Sequence, residues 1–133
     1  YMNEHVEKAM TFRNEVPMIS NCAQAVLRAY APEIGMSDEL ALAIGKNFGR
    51  GMKCGETCGA ITGALMVLGA LGLDTPNKAN EFRKRIADKH NGMTRCADLL
   101  RANAQTYTPM KEHCNGLIVE AIEAIDEMVK ENQ

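Results

Sequence analysis

From Thr57 to Leu73 the chain carries no charged residue, and wound as a helix the segment is apolar on every side. A helix without a polar face must be enclosed, either by lipid or by other helices. Crossing a bilayer takes about 20 apolar residues. This segment is shorter and is interrupted by Gly59, Gly63, Gly69 and Gly72. It is therefore expected to be a buried helix, about residues 58–72, at the centre of a globular bundle and not inserted in a membrane. The 133 residues amount to one helical domain, 1–133, against roughly 150 residues per domain. A chain of that length can bury a core without staples.

Helical spacing recurs through the rest of the chain. His5, Ala9, Phe12 and Val16 form a first stripe that Pro17 stops or bends. An Ala-rich helix with Arg28 as its only charge is expected from about Ser20 to Ala31. Ser37 reads as the cap of a third, with Leu40, Ile44 and Phe48 as its inner face. Thr57 reads as the cap of the uncharged helix. Asp74-Thr75-Pro76 opens a helix with Ala79, Phe82, Ile86 and His90 inward, closed by Asn91-Gly92. Thr94 caps a short helix to about Ala104. After Thr108-Pro109, the stripe Cys114, Leu117, Ile118, Ala121, Ile122, Ile125, Met128 and Val129 is the cleanest in the chain. No β-alternation or repeat is present. The fold class expected is all-α, a single-domain bundle of six or seven helices.

Composition excludes several functions. With net charge −2 and six aromatic residues, none of them Trp, the chain lacks the basic field and stacking platforms for nucleic acid. The stretch Met2 to Arg13 has no apolar run like that of a secretory signal, so a cytoplasmic location is expected; Tyr1 reads as a residue added ahead of Met2. Five cysteines are too few and odd in number for a disulfide framework. In a reducing compartment, cysteines in such numbers point to metal binding or redox chemistry.

Cys22, Cys58, Cys96 and Cys114 each fall on a different predicted helix, at intervals of 36, 38 and 18 residues. No linear zinc or ferredoxin motif has that spacing, so any joint site must be assembled by the fold. Cys22, Cys58 and Cys96 sit near helix starts, where the dipole and free amides favour a thiolate. Packing alone would also account for buried cysteines. Two thiolates about 4 Å apart repel by roughly 4 kcal/mol at an effective dielectric near 20. Four gathered thiolates would repel by about 20 kcal/mol, more than a domain's stability of about 5–15. A convergent site must therefore hold metal, disulfides or protonated thiols.

The Gly-rich loop 49–57 precedes the uncharged helix. Its glycines suit close approach of amides to an anionic sulfur, but it lacks the phosphate-loop patterns, so no nucleotide is expected. Gly59 and Gly63, one turn apart, permit close backbone approach, and the Ala-rich helix is the natural partner, bringing Cys22 and Cys58 within reach.

Asn21-Cys22-Ala23-Gln24-Ala25-Val26, then Cys58-Gly59-Ala60-Ile61-Thr62-Gly63-Ala64, then single Cys96 and Cys114, resemble the C-GCAxxG-C-C family of redox-active proteins. The matching residues span Asn21 to Cys114, about 70% of the chain. The resemblance implies that the family cysteines are Cys22, Cys58, Cys96 and Cys114, and the motif glycines Gly59 and Gly63. A more distant similarity to the amino-terminal part of split-Soret cytochromes implies a cysteine-bound iron centre. The chain has no CxxCH, so c-type haem does not carry over. Cys54 is additional to the pattern.

Three functions remain open on the sequence. The first is electron transfer through an iron–sulfur cluster or another thiophilic metal held by Cys22, Cys58, Cys96 and Cys114, with Cys54 and His90 as auxiliary ligands. The second is a thiol–disulfide oxidoreductase with Cys58 as nucleophile and Cys22 or Cys54 resolving. The third is a non-catalytic interaction module whose cysteines only pack. His113, about 100° round the helix from Cys114, is expected at the surface, and Glu56 in solvent or assisting proton transfer at Cys58. A redox partner protein is expected, with the acidic face Glu120, Glu123, Asp126, Glu127 and Glu131 as one docking surface, and a homodimer would cover the apolar helix.

Overall fold

The computed structural model describes residues 3–133; Tyr1 and Met2, with the reading of Tyr1 as an addition, lie outside them. Among the described residues the chain forms seven α-helices and no strand: α1 (Glu4–Arg13), α2 (Cys22–Tyr30), α3 (Asp38–Gly45), α4 (Gly59–Ala70), α5 (Pro76–Ala87), α6 (Cys96–Ala104) and α7 (Met110–Glu131). The fold is all-α, as the helical spacing requires. No helix among the described residues is long and apolar enough to cross a membrane.

Local chemistry sets the helix starts. Asn3 accepts from the Val6 amide, Ser37 from Leu40, and Thr75 from Lys78 with Pro76 at the first position. Helix α2 starts at Cys22, two residues after the expected Ser20, with Asn21 as its cap. Asn21 and Gln24 bond each other's backbone reciprocally, while the Ser20 hydroxyl accepts from Arg28 at 2.8 Å. The caps of α4 and α6 also fall a residue beyond those expected, at Cys58 and Arg95. Thr57 is held extended by an antiparallel bridge to Arg95, and the Thr94 carbonyl accepts from the Cys58 amide.

Helix α4 is buried on the side running from Gly59 to Leu68 and emerges at Gly69. It shares the centre with α2, in which every residue from Ala23 to Tyr30 is buried. That helix packs against α1, α3, α4 and α7. Its one charge, Arg28, is enclosed by Glu15 at 2.8 Å, Asp38 at 2.8 Å and the Phe12 ring at 3.9 Å.

Two expected apolar faces are corrected. Helix α1 ends at Arg13 with Asn14 as its cap, so Val16 lies beyond it and is 97% exposed. On α3 the inward residues are Ala41 and Gly45, while Leu40 and Ile44 face out. The reason is distance: a Cβ at Gly45 would stand 2.7 Å from Gln24 Cγ, so α3 lies too close to α2 for branched side chains between them.

Candidate functional site

Helix α4 crosses α2 at the two motif glycines. A Cβ at Gly59 would lie 2.7 Å from the Phe48 carbonyl oxygen and 3.3 Å from Cys22 Cβ; one at Gly63 would meet the Ala23 carbonyl oxygen at 3.0 Å. A Cβ does not fit 2.7 Å from the Phe48 carbonyl, and the 3.0 Å approach to the Ala23 carbonyl is tighter than side chains ordinarily allow, so glycine lets α4 run against the α2 backbone. Cys22, the first residue of α2, thereby faces the start of α4, where Cys58 is the N-cap.

A second device brings in α6. Around the Thr57–Arg95 bridge, the Cys58 amide donates to the Thr94 carbonyl at 2.9 Å and the Cys96 amide to the Glu56 carbonyl at 2.6 Å. Cys96 opens α6, and Cys114 lies in the second turn of α7. All four line one cavity of about 200 Å³, many times the ~10–15 Å³ that one water requires.

The connecting loop is wound tightly. Gly51 and Gly55 have positive φ, and so do Arg50, Met52 and Lys53 at 55°, 58° and 62°. Left-handed conformation at a non-glycine residue costs on the order of 1–3 kcal/mol and concentrates at functional sites. Here it carries Arg50 to the cavity wall.

Cys54 and His90 stay outside. Cys54 is exposed on the loop, its Sγ 3.5 Å from the Gly51 carbonyl oxygen. His90 Nε2 pairs with Glu120 at 2.6 Å and does not line the cavity. Glu56 likewise turns to Arg95, at 3.2 Å. His113, by contrast, is half-buried in the cavity wall, and its Nε2 is buried with no hydrogen-bond partner among the described residues. The surface position expected from helical angle is corrected: α5 and α6 flank α7, so directions well away from the cysteine are also covered. Burial lowers the His113 pKa below its usual value, with His90 adding to the effect and Glu120 opposing it.

Arg13, Arg50 and Lys111 also line the cavity, while no carboxylate does. Arg13 is buried, donating to the Ser20 carbonyl at 2.8 Å and to Asn115 Oδ1 at 2.7 Å. Neither Arg13 nor Lys111 belongs to a motif, and only the fold brings them to the cysteine cavity.

All five cysteines are free thiols. Cys22 and Cys114 are neighbours on the cavity wall and affect each other's ionisation: the nearby Cys114, with burial, pushes the Cys22 pKa well up, while Cys22, helped by Arg13 and Arg50, brings Cys114 down to about 7. The two thiols therefore share one negative charge, which Arg13 and Arg50 favour. Burial pushes Cys58 up to about 11, although the Ala60 and Ile61 amides pull the other way. Burial also raises Cys96, helped by the Cys114 charge and opposed by Arg50. The protein by itself thus supports one thiolate near neutral pH and keeps its neighbours protonated, which limits the repulsion of four gathered sulfurs. Among the described residues no three His, Cys, Asp or Glu side chains form a group that could hold one metal ion.

A family model described as "Putative redox-active protein (C_GCAxxG_C_C)" matches residues 20–128. No curated protein and no solved structure matches the chain.

Proposed function

The chain belongs to the C_GCAxxG_C_C family of redox-active proteins, and on that premise we propose that Cys22, Cys58, Cys96 and Cys114 hold an iron–sulfur cluster for electron transfer. The observation that carries this is the placement of all four thiols, and not Cys54, on the wall of a single cavity. The donor set fits the group: such clusters are held by four cysteine thiolates. A lone ion would need its sulfurs within about 2.3 Å of one point, and the cysteines are not grouped in that way.

When bound, an iron–sulfur cluster supplies one-electron transfer at its irons. The chain's own part is electrostatic. Cys22, Cys58 and Cys96 must give up their protons for binding, which Arg13, Arg50 and Lys111 and the amides at the helix starts favour. Leu99, Leu100 and Leu117 line the same cavity and limit water.

Purification without oxygen, followed by iron, zinc and acid-labile sulfide analysis, tests the proposal. Iron and sulfide in comparable amounts are expected, with visible absorption that bleaches on reduction. Zinc alone, or no metal in a fully helical protein, overturns it.

A second reading has its own observation, Cys22 and Cys114 side by side on one cavity wall with the Cys114 pKa lowered to about 7. In a thiol–disulfide reaction the Cys114 thiolate would attack a substrate disulfide, releasing one thiolate, and Cys22 would then displace the second and close a Cys22–Cys114 disulfide. Cys58, buried and with its pKa near 11, is poorly suited to be the nucleophile. Trapping a mixed disulfide on Cys114 in a Cys22→Ser variant would support this chemistry, and equal, slow alkylation of Cys22, Cys58, Cys96 and Cys114 would dismiss it.

A further inference from the structure

We propose that the mouth of the cysteine cavity is the docking surface for an acidic electron-carrier protein; the proposal rests on the cysteines forming a redox centre. Three observations coincide there. Arg13, Arg50 and Lys111 line the cavity without a carboxylate, in a chain of net charge −2. Among the described residues, Arg50 and Lys111 are exposed and neither pairs with a carboxylate. Met18 and Met110, 46% and 44% exposed, stand on the same wall.

Exposed methionine beside arginine is the composition of protein interfaces, and a small anion would leave the exposed parts of the two methionines without a partner. Electron transfer weakens steeply with distance, so a carrier must seat where the sulfurs come nearest the surface. The acidic face of α7 is a poorer surface for it. His90 takes up Glu120, His5 and Tyr30 take up Asp126, and Arg85 takes up Glu127 and Glu131.

Two protein oxidants of opposite charge test the proposal: plastocyanin, which is acidic, and cytochrome c, which is basic. Stopped-flow oxidation of the reduced, loaded protein is followed from low to high salt. The rate with plastocyanin is expected to fall about tenfold as salt screens the attraction, and that with cytochrome c to rise. Replacing Met110→Glu and Lys111→Glu together should reverse both salt dependences. Acidic residues in the first turn of α7 suit its dipole, so the variant is expected to keep its fold.

Salt-independent rates, a preference for cytochrome c, or an unaltered variant would overturn the docking proposal. So would self-association of the chain that the same double variant abolishes, since a second copy would then occupy the mouth. Ferricyanide separates the two levels. If the reduced protein gives it no electrons, the redox reading itself fails and the docking proposal with it.

Discussion

Arg13 donates from Nε to Asn115 Oδ1 at 2.7 Å, tying the end of α1 to the residue after Cys114. The same guanidinium holds the Ser20 carbonyl at 2.8 Å, two residues before Cys22. One buried cation thus fixes the approaches to both interacting thiols and supplies positive charge to them. Arg13→Gln is expected to destabilise the fold by about 2–3 kcal/mol, because charged hydrogen bonds are lost and a buried carbonyl is left unpaired. It should also raise the Cys114 pKa. Urea unfolding and the pH dependence of alkylation at Cys114, mapped by mass spectrometry, check the two effects separately.

The glycines of α4 differ in what surrounds them. At Gly59 a methyl group would meet the Phe48 carbonyl oxygen at 2.7 Å, whereas at Gly69 nothing lies within 4 Å. Gly59→Ala should therefore cost about 1–3 kcal/mol through overpacking. Gly69→Ala should stabilise by about 0.5–1 kcal/mol, because alanine loses less backbone entropy in a helix. Thermal melts of the two variants should move in opposite directions. Only Gly59→Ala should change the iron content, since that crossing sets Cys22 against Cys58.

His5 stacks on Tyr30 with ring centroids 4.0 Å apart and lies between Glu33 and Asp126. Burial works to lower its pKa, but the two carboxylates outweigh that and raise it above 6.5. A raised folded-state pKa contributes stability that is fully present below the unfolded value. It is lost as pH climbs through the folded value. The attachment of α1 to α7 should therefore loosen above neutral pH. Cys114 and His113 titrate in overlapping ranges, so the contribution is read as wild type minus His5→Asn. Urea midpoints from about pH 5.5 to 8.5 should show that difference shrinking as pH rises. A constant difference would remove His5 from the account.

Cys54 provides a clean division among the thiols. It is exposed, outside the cavity and additional to the family pattern. Cys54→Ser should leave bound iron and sulfide unchanged, whereas serine at Cys22, Cys58, Cys96 or Cys114 should lose most of both. Alkylation of the metal-free protein should reach Cys54 early and Cys58 last, because Cys58 is 3% exposed and its thiol holds its proton up to about pH 11.

Helix content, the inner stripe of α7 and the position of cysteines near helix starts are local properties. They depend on periodicity, capping side chains and proline geometry within a few residues, and the chain states them directly. The pairing of Gly59 and Gly63 with the Ala-rich helix is legible for a related reason, since small residues a turn apart mark where backbones touch. The inner face of α3 is not local. Leu40 and Ile44 are the more apolar residues, yet Ala41 and Gly45 face α2 because the gap there is too narrow for anything larger.

The amino-acid order by itself determined an all-α chain and four cysteines carried on four separate helices, because helix formation and termination are decided by neighbours in sequence. Only the tertiary structure decided that these sulfurs share one cavity and that Arg13, Arg50, Lys111 and His113 stand around it. Electrostatic coupling and desolvation act through space, between groups that lie as many as 121 residues apart in the chain, as His5 and Asp126 do.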